Sequence, residues 1–333
     1  MRALVVVVLL LCTPHAHADE PRMIRIASVV PDGSAWAREF HAFERAVWKR
    51  SEGTVKVKFY LDGKAGDELE IKARIERDQV DGIASGGHAC AKVIPSMNVL
   101  RLPGLFRDTR EVLYVMNQLE ARMAKEAEAR GYTLLGMALI GTHTFFSRTP
   151  IKTMAQLRKI RLWRWNADEI AIAIAKNMGL DIVPVSIQDA ARAYDDHKVD
   201  GFYAIPTAAL AFQWYTQTPF ITAIAGDHLV GCMLVRSKAL DQLDDSQREI
   251  LRSETTKSLL RISDLTKRQD AELIGGGVFR RQGSKLVSIN DNFREEFYEA
   301  ARVAREKLDN WLVAADLIKE VTKMLASYRG AQR

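Results

Sequence analysis

Short apolar segments alternate with amphipathic helical segments along most of this chain, and this order limits the possible folds more than any other feature. A first group of these segments has strand patterns at 23–30, 55–60 and 80–85, which are separated by helical patterns at 35–51 and 70–78. A strand–helix–strand–helix–strand order produces a mainly parallel sheet with helices packed on its faces. The sequence therefore predicts an α/β fold.

The same order begins again in the second half of the chain. Its strand patterns lie at 161–163, 181–186 and 199–206, and its helical patterns lie at 167–179 and 187–198. The third strands of the two groups share their opening residues, in VDGIAS and VDGFYA. A chain of 333 residues is long enough for two domains. Because no low-complexity linker separates the groups, we predict two α/β units that share a cleft.

The first residues have the features of a secretory signal peptide. A basic residue precedes an apolar run at 3–11, and the small-residue pattern AHA follows at 16–18. We predict a signal peptide of residues 1–18 and an exported chain. The apolar run is too short for a bilayer, which needs about 20 residues. A lipid anchor at Cys12 is the weaker alternative, because a bulky leucine precedes it where a small residue is expected.

The composition argues against a nucleic-acid-binding protein. Hydrophobic residues make up 47% of the chain and charged residues 27%, as in soluble globular proteins. The net charge is +6, but the basic residues are mixed with acidic ones, as at 120–130. This mixture indicates solvated helix faces, so we predict no nucleic-acid partner.

The sequence contains no recognised catalytic or cofactor motif. It lacks a G-x-S-x-G elbow, an H-E-x-x-H pair, a Walker loop and a G-x-G-x-x-G loop. The glycines at 275–277 follow a helical pattern and are interpreted as a helix end. The histidines are scattered without the spacing of metal ligands. We therefore predict neither a metal nor a cofactor.

Two cysteines follow the predicted cleavage site. Cys90 and Cys232 can form a disulfide in an oxidising compartment, and their spacing does not decide whether they do. The alternative is a pair of small buried apolar side chains. Nothing in the sequence marks Cys90 as a reactive nucleophile, which would need a nearby base.

The segment KIRLWRWNADE at 159–169 carries the most informative basic residues. In open α/β sheets, ligands bind at the carboxyl ends of the strands. A guanidinium there offers a planar fork for a carboxylate, and neighbouring tryptophans exclude water from that pair. Strand alternation supports another interpretation, with Arg161 and both tryptophans on one face and Arg164 on the other. The residues alone leave both interpretations open.

Several motifs resemble those of the substrate-binding proteins of tripartite ATP-independent periplasmic (TRAP) transporters. The region 141–206, from GTHTFF to VDGFYAIP, carries the resemblance. SVVPDGSAW, GKAGDE and VLRLPGLFRD match the N-terminal part of the family. The helical pattern at 245–274 resembles the family's domain-spanning helix. The resemblance covers nearly all of the predicted mature chain.

This resemblance implies a two-domain periplasmic binding protein fold, similar to type II, in which each domain is a mainly parallel sheet flanked by helices. It implies a domain I at 22–141 plus 231–270 and a domain II at 142–230 plus 271–333, with the ligand cleft between them. It also implies a periplasmic protein that binds an organic acid through its carboxylate. Its partners would be that acid and the integral membrane subunits of a TRAP transporter.

Many members of the family hold the ligand carboxylate with an arginine near the end of a KIR-like strand. When the family pattern is aligned on Gly179, this arginine falls at Arg164. Counting forward from Pro150 favours Trp163, and the local motif favours Arg161. We prefer Arg164 and keep Arg161 as the alternative.

The chain departs from the family pattern at two polar positions. His143 stands where many members carry another arginine, and FYAIP at 202–206 lacks the asparagine that many members have before the proline. Aromatic residues are frequent nearby, so we predict a more apolar acid than a small dicarboxylate or sialic acid, such as an aromatic or branched 2-oxo acid. The other residues expected at the ligand are Trp36, Asp67, Glu68, Ser85, Gly86, Gly87, Phe145, Trp165, Tyr203, Pro206 and Trp214.

Each of these residues also has a structural interpretation. The glycine-rich turn at 85–87 would present backbone N–H groups to the ligand. Asp67 and Glu68 would bind a ligand hydroxyl or amine, or they would cap the next helix. His143 would donate a hydrogen bond or be a satisfied strand-end histidine. The aromatic residues would form walls of the pocket or belong to the core.

Three classes of function are compatible with these observations. The first is a binding protein for solute uptake by a TRAP transporter. The second is a similar binding protein that serves an ATP-driven importer or a sensor kinase. The third is a secreted enzyme on a similar fold, which would need an acid–base or nucleophile constellation that the sequence does not contain. We favour the first.

Overall fold

The computed structural model describes residues 20–332, and the predicted signal peptide lies outside the described residues. The strands are β1 Arg22–Ala27, β2 Val55–Tyr60, β3 Gly82–Ser85, β4 Tyr132–Thr142, β5 Thr144–Ser147, β6 Leu162–Trp165, β7 Ile182–Val185, β8 Gly201–Ala204, β9 Phe220–Thr222, β10 His228–Arg236 and β11 Lys285–Val287. The helices are α1 Ala35–Arg50, α2 Glu68–Glu76, α3 His88–Val93, α4 Thr109–Glu128, α5 Met154–Leu157, α6 Glu169–Asn177, α7 Ala190–Asp195, α8 Pro206–Ala211, α9 Ser237–Leu240, α10 Asp245–Ile274, α11 Val278–Arg281, α12 Asp291–Glu306 and α13 Ala315–Gly330. Short 3-10 helices lie at Pro95–Arg101 and Trp214–Thr216.

The first sheet has the strand order β2-β1-β3-β10-β4. β1 pairs in parallel with β2 and β3, whereas β10 runs antiparallel to β3 and β4. The alternation of β2 gives it one apolar face, because Val55, Val57 and Phe59 are buried and the lysines between them are exposed. This face packs against α1, where the rings of Phe40 and Phe59 stack with their centroids 4.6 Å apart.

The second sheet has the strand order β11-β9-β5-β8-β6-β7. β6 pairs in parallel with β7 and β8, whereas β5 runs antiparallel to β8 and β9. One strand in each sheet therefore runs against the others, and the predicted class of two mainly parallel sheets flanked by helices is confirmed. We call β1–β4, β10, α1–α4 and the 3-10 helix Pro95–Arg101 the first layer, and β5–β9, β11, α5–α8, α11 and α12 the second layer.

The long helix α10 connects the two layers. It has 30 residues, which gives a length of about 45 Å. Its start is fixed by a capping box, in which the side chains of Asp244 and Gln247 each bond the backbone N–H of the other. It packs against α1 and β4 of the first layer and against α8 and α11 of the second. Within residues 20–332, no helix is both long enough and apolar enough to cross a membrane.

The chain passes between the layers at two neighbouring places. β4 continues almost directly into β5 at His143, and residues 223–227 lead back from β9 to β10. Near the C terminus, α12 packs against α5 and α6, whereas α13 packs against α4 of the first layer. The domain boundaries stay a proposal, and this packing favours placing α13 with domain I.

Cys90 and Cys232 form a disulfide, with their Cα atoms 6.2 Å apart. The bond joins α3 to β10 within the first layer, and both residues are buried. The sequence had left this pairing open, because 142 residues separate the two cysteines.

Asp270 on α10 gives the fold a pH-dependent contact beside the crossing from β4 to β5. Its carboxylate accepts hydrogen bonds from the N–H and the hydroxyl of Thr207, at 3.0 and 2.6 Å, at the start of α8. Burial raises the pKa of Asp270 to about 6, although the hydrogen bonds from Thr207 and Thr142 oppose this shift. Since the folded pKa exceeds the ordinary value of 3.8, its contribution to stability is complete below pH 4 and is lost as the pH rises through 6.

The variant Asp270→Asn keeps the acceptor but cannot ionise. We expect its free energy of unfolding, relative to the wild type, to rise by about 2–3 kcal/mol between pH 4 and pH 8. Urea unfolding at several pH values measures this difference, and Asp264→Asn on an exposed turn of the same helix is the control. A difference between Asp270→Asn and wild type that does not change with pH would contradict this account of Asp270.

Candidate ligand-binding site

A cavity of about 120 Å³ lies between the two layers. The walls from the first layer and α10 are mainly apolar and include Trp36 and Phe40 of α1, Ile140 of β4, and Leu259 and Ile262 of α10; the polar residues Ser28, Ser85 and His88 also line this side. The second layer contributes Trp163, Arg164, Trp165, Asp168, Ile187, Tyr203, Ala204, Ile205, Ala208, Phe212 and Trp214, and His143 lies at the crossing. For scale, an apolar protein cavity of about 150 Å³ accommodates benzene. At about 120 Å³ this cavity is somewhat smaller, which limits its occupant to a compact organic molecule.

Arg164 is the buried cation in the wall of this cavity, and only 3% of it is exposed. All four residues of β6 are buried because the strand lies between β7 and β8 and is covered on both faces. The guanidinium donates to the Tyr203 carbonyl oxygen at 2.9 Å and to Asp168 at 2.6 Å. Its Nε is buried and has no hydrogen-bond partner among the described residues. Since buried N–H groups are nearly always paired, this arginine has capacity for a further acceptor.

Asp168 shares its carboxylate between groups from both layers. It caps α6 and bonds Arg164, while Arg101 and His88 of the first layer lie 2.7 and 3.2 Å from its oxygens. Burial opposes ionisation of this carboxyl, but Arg101, Arg164 and His88 outweigh that effect and hold its pKa well below the usual range. Asp168 is therefore ionised throughout the physiological pH range.

A second buried carboxylate, Asp227, lies in the segment that leads from β9 to β10. It accepts a hydrogen bond from the Tyr203 hydroxyl at 2.5 Å, and its Oδ2 lies 3.0 Å from Nδ1 of His143 and 3.9 Å from Arg164. Burial opposes ionisation, but His143 and Arg164 lower the pKa of Asp227 to about 2. Burial also lowers the pKa of His143, whose ring stacks on Tyr203.

Three of the four tryptophans that line the cavity, Trp36, Trp163 and Trp165, present rings rather than hydrogen-bond donors to it. The indole N–H of Trp36 donates to Thr266 at 3.0 Å, and that of Trp163 to the Val185 carbonyl at 3.2 Å. The indole N–H of Trp165 donates to Asp67 at 2.9 Å. Because these N–H groups are already bonded within the protein, these walls are apolar to a ligand.

The structure brings eight of the predicted residues together around the cavity. They are Trp36, Ser85, Gly86, His143, Arg164, Trp165, Tyr203 and Trp214. Arg161 does not line it: its guanidinium pairs with Asp200 at 2.8 Å, and 43% of its side chain is exposed. Phe145 stacks behind Tyr203, and Pro206 begins α8; neither lines the cavity.

The turn at 85–87 and the two acidic residues make hydrogen bonds within the protein, although Ser85 and Gly86 also line the cavity. Asp67 caps α2, as the structural interpretation predicted, and also accepts from Trp165. Glu68 is fully buried and accepts hydrogen bonds from the Ser85 hydroxyl and from the backbone N–H groups of Gly86 and Ala89. The Gly87 N–H donates to Ser85. The N–H groups of Gly86 and Gly87 are therefore already engaged within the protein, and their contact with a ligand stays a prediction.

Arg164 belongs to a cluster of buried charged and titratable side chains, and four members of this cluster were not predicted from the sequence. They are His88, Arg101, Asp168 and Asp227. Asp168 has a local signal, since it follows Arg164 by four residues and precedes a helical pattern, where a carboxylate caps well. Arg101 and Asp227 reach the cluster only through the folding of distant segments, so no local pattern marks them.

The family model for bacterial extracellular solute-binding proteins, family 7, matches residues 26–309. The chain belongs to this family. The resemblance to TRAP substrate-binding proteins is thereby confirmed, and family 7 is a family of solute-binding proteins rather than enzymes.

Two relatives illustrate how distant the similarity is. The 2,3-diketo-L-gulonate-binding periplasmic protein YiaO of Escherichia coli K12 is 25% identical over 160 residues, which are 47% of this chain and 48% of that protein. This chain thus matches about half the length of YiaO. The uncharacterized protein YiiZ of Salmonella typhimurium is 23% identical over 265 residues, which are 78% of this chain and 76% of that protein.

Solved structures share the fold over almost the whole described chain. A TRAP periplasmic solute-binding protein of Fusobacterium nucleatum with bound sn-glycerol-3-phosphate has a TM-score of 0.84 at 18% identity, covering 93% of this chain and 99% of that one. A sugar acid binding protein of Advenella mimigardefordensis in complex with galactonate has a TM-score of 0.84 at 19% identity, covering 91% and 97%. At these identities the comparison establishes the fold and leaves the ligand open.

Proposed function

We propose that this protein captures an organic acid in the periplasm and delivers it to the membrane subunits of a TRAP transporter. The observation that carries the proposal is the buried Arg164 guanidinium in the cavity wall, whose Nε has no hydrogen-bond partner within residues 20–332. A carboxylate can accept from the guanidinium in a charge-assisted hydrogen bond, which is strong in a site shielded from water. The fold relatives described above carry sn-glycerol-3-phosphate and galactonate, both of which are acids.

We propose further that the acid has an aromatic or branched apolar body. Away from Arg164 the cavity is bounded by rings and aliphatic chains, including Trp36, Phe40 and Ile262. A sugar acid would bring several hydroxyls against these walls, and each unpaired buried hydroxyl costs about 1–3 kcal/mol. An aromatic or branched 2-oxo acid places its carboxylate and oxo group at Arg164 and His143 and its apolar body against the rings. Such a ligand has a polar end that matches Arg164 and His143 and an apolar end that matches the rings.

A panel of acids tests this assignment. We expect phenylpyruvate and 4-methyl-2-oxopentanoate to bind at least about tenfold more tightly than D-galacturonate or succinate, because the last two leave polar groups against apolar walls. Thermal-shift screening followed by isothermal titration calorimetry measures the affinities. Phenylethanol is the matched control, since it keeps the ring and lacks the carboxylate, and it should not bind. Preference for galacturonate or succinate would contradict the apolar assignment.

Delivery to a TRAP transporter is tested separately. Uptake of the bound acid by cells should require both this protein and TRAP membrane subunits. Deletion of those subunits should abolish uptake while the purified protein still binds. Uptake that continues without them, and depends instead on an ATP-driven importer, would contradict this part of the proposal.

A further inference from the structure

Arg101 is a buried arginine of the first layer that does not line the central cavity. It is the last residue of the 3-10 helix Pro95–Arg101, which packs against α3, α4 and β10, and only 3% of it is exposed. Its Nη2 lies 2.7 Å from Asp168, which belongs to the second layer. Arg101 therefore reaches across from one layer to the other.

Asp168 links Arg101 to Arg164, the arginine that is proposed to bind the ligand carboxylate. One of its oxygens lies against Arg101 and the other accepts from Arg164, so two arginines share one carboxylate. Both arginines and Asp168 are nearly completely buried. In such a place, a charge that is removed from water interacts strongly with its neighbours.

The charges of this cluster show what Arg101 contributes. Arg101 and Arg164 together balance Asp168 and Asp227. Without Arg101, the remaining arginine would face two carboxylates, and the cluster would carry an excess negative charge. An anionic ligand would then enter a cavity whose adjacent charges repel it. Glu68 does not alter this comparison, since its carboxylate is held by the N–H groups of Gly86 and Ala89 in both cases.

Two other contacts join the layers nearby, at the end of β6 and the start of α6. Lys92 of α3 lies 2.5 Å from Glu169 at the start of α6, and Trp165 donates to Asp67. Arg101 differs from Lys92 and Glu169 in being buried, because their side chains are 34% and 44% exposed, and it differs from the buried Trp165 in carrying a charge. Exposed ion pairs contribute little, so Arg101 is the contact between layers with the largest electrostatic effect on the site.

We infer that Arg101 is a positioning residue of the binding site, which acts through Asp168: when the layers meet, it binds one oxygen of that carboxylate, so that Asp168 offsets less of the positive charge that Arg164 presents to an anion. The inference rests on the proposed binding of an acid. It links ligand affinity to closure of the cleft, because Arg101 can reach Asp168 only when the two layers are in contact. The low pKa of Asp168 agrees with a carboxylate held by two cations.

Binding measurements on four variants test the role in affinity, with phenylpyruvate as the probe. We expect Arg101→Gln to weaken binding by about thirtyfold or more, as for loss of one partner of a buried charge pair, while Arg101→Lys retains most of the affinity. Asp168→Asn in the Arg101→Gln background should recover much of the lost affinity, because it removes the negative charge that Arg101 offsets. Asp168→Asn alone supplies the fourth corner of the cycle. Additive losses in the double variant would overturn the inference, since a merely structural arginine gives no such rescue.

A measurement without ligand decides the inference even if no acid of the panel binds the wild type. Spin labels at Lys125→Cys and Lys152→Cys, exposed positions on the first and second layers, report the distance between the layers by pulsed electron spin resonance. We expect Arg101→Gln to shift the ligand-free distances towards longer values, and Arg101→Lys to leave them near those of the wild type. Unchanged distances in Arg101→Gln would overturn the inference. Failure of the proposed function would appear separately, as a wild type that binds no acid.

Discussion

Replacing Arg164 by alanine is expected to reduce acid binding by 2–5 kcal/mol, which is a factor of about 30 to several thousand in the dissociation constant. The reason is that Arg164 is a buried cation in the cavity wall, and its Nε, shielded from water, has no hydrogen-bond partner in the described part of the chain. Calorimetric titration with the tightest-binding acid of the panel measures the loss. The far-ultraviolet circular dichroism and the thermal midpoint of the variant establish whether it is folded.

Arg161 provides the matched control for this experiment. It lies on the same segment and carries the same charge, but its side chain is 43% exposed and pairs with Asp200 away from the cavity. We expect Arg161→Ala to change the affinity by less than about twofold, since exposed ion pairs contribute 1 kcal/mol or less. The reverse result, with affinity lost in Arg161→Ala and kept in Arg164→Ala, would identify the other arginine as the carboxylate ligand.

Loss of the disulfide between Cys90 and Cys232 is expected to have the largest effect on stability. The bond closes a loop of 142 residues, and restricting such a loop in the unfolded chain stabilises the folded state by about 5 kcal/mol in the chain-entropy account. Cys90→Ala/Cys232→Ala should therefore unfold at a much lower urea concentration than the oxidised wild type. The midpoint of unfolding by urea gives the measurement.

Reduction of the wild-type disulfide distinguishes the effect of losing the bond from the effect of the alanine substitutions. Dithiothreitol should lower the urea midpoint of the wild type towards that of the double alanine variant, and it should leave the variant unchanged. Equal midpoints for the wild type with and without dithiothreitol would mean that the bond is absent or contributes nothing to stability.

Much of the fold is visible in local sequence patterns. The long helix was predicted at 245–274 and occupies Asp245–Ile274, because Asp244 and Gln247 mark its start and three glycines follow its end. The strand at 55–60 alternates strictly and occupies the predicted residues. These elements are determined by interactions between residues that are close in the chain, which a sequence pattern records directly.

The binding site was only partly predictable, for physical reasons that β6 illustrates. Alternation assigned Arg161 and Arg164 to opposite faces, but the segment Leu162–Trp165 is buried on both faces, so alternation does not separate ligand-facing from core residues. Comparison with family motifs selected Arg164 where the pattern alone could not. Arg101 and Asp227 lie 63 residues on either side of Arg164, and only the packing of the two layers brings them to it.

A crystal structure with the tightest-binding acid of the panel tests the central claim most directly. The account predicts the acid in the cavity between the layers, with a carboxylate oxygen within about 3.2 Å of a nitrogen of the Arg164 guanidinium and the apolar body against the rings of Trp36 and Trp163. An acid bound elsewhere, or one whose carboxylate lies in the cavity without contacting Arg164, would contradict it.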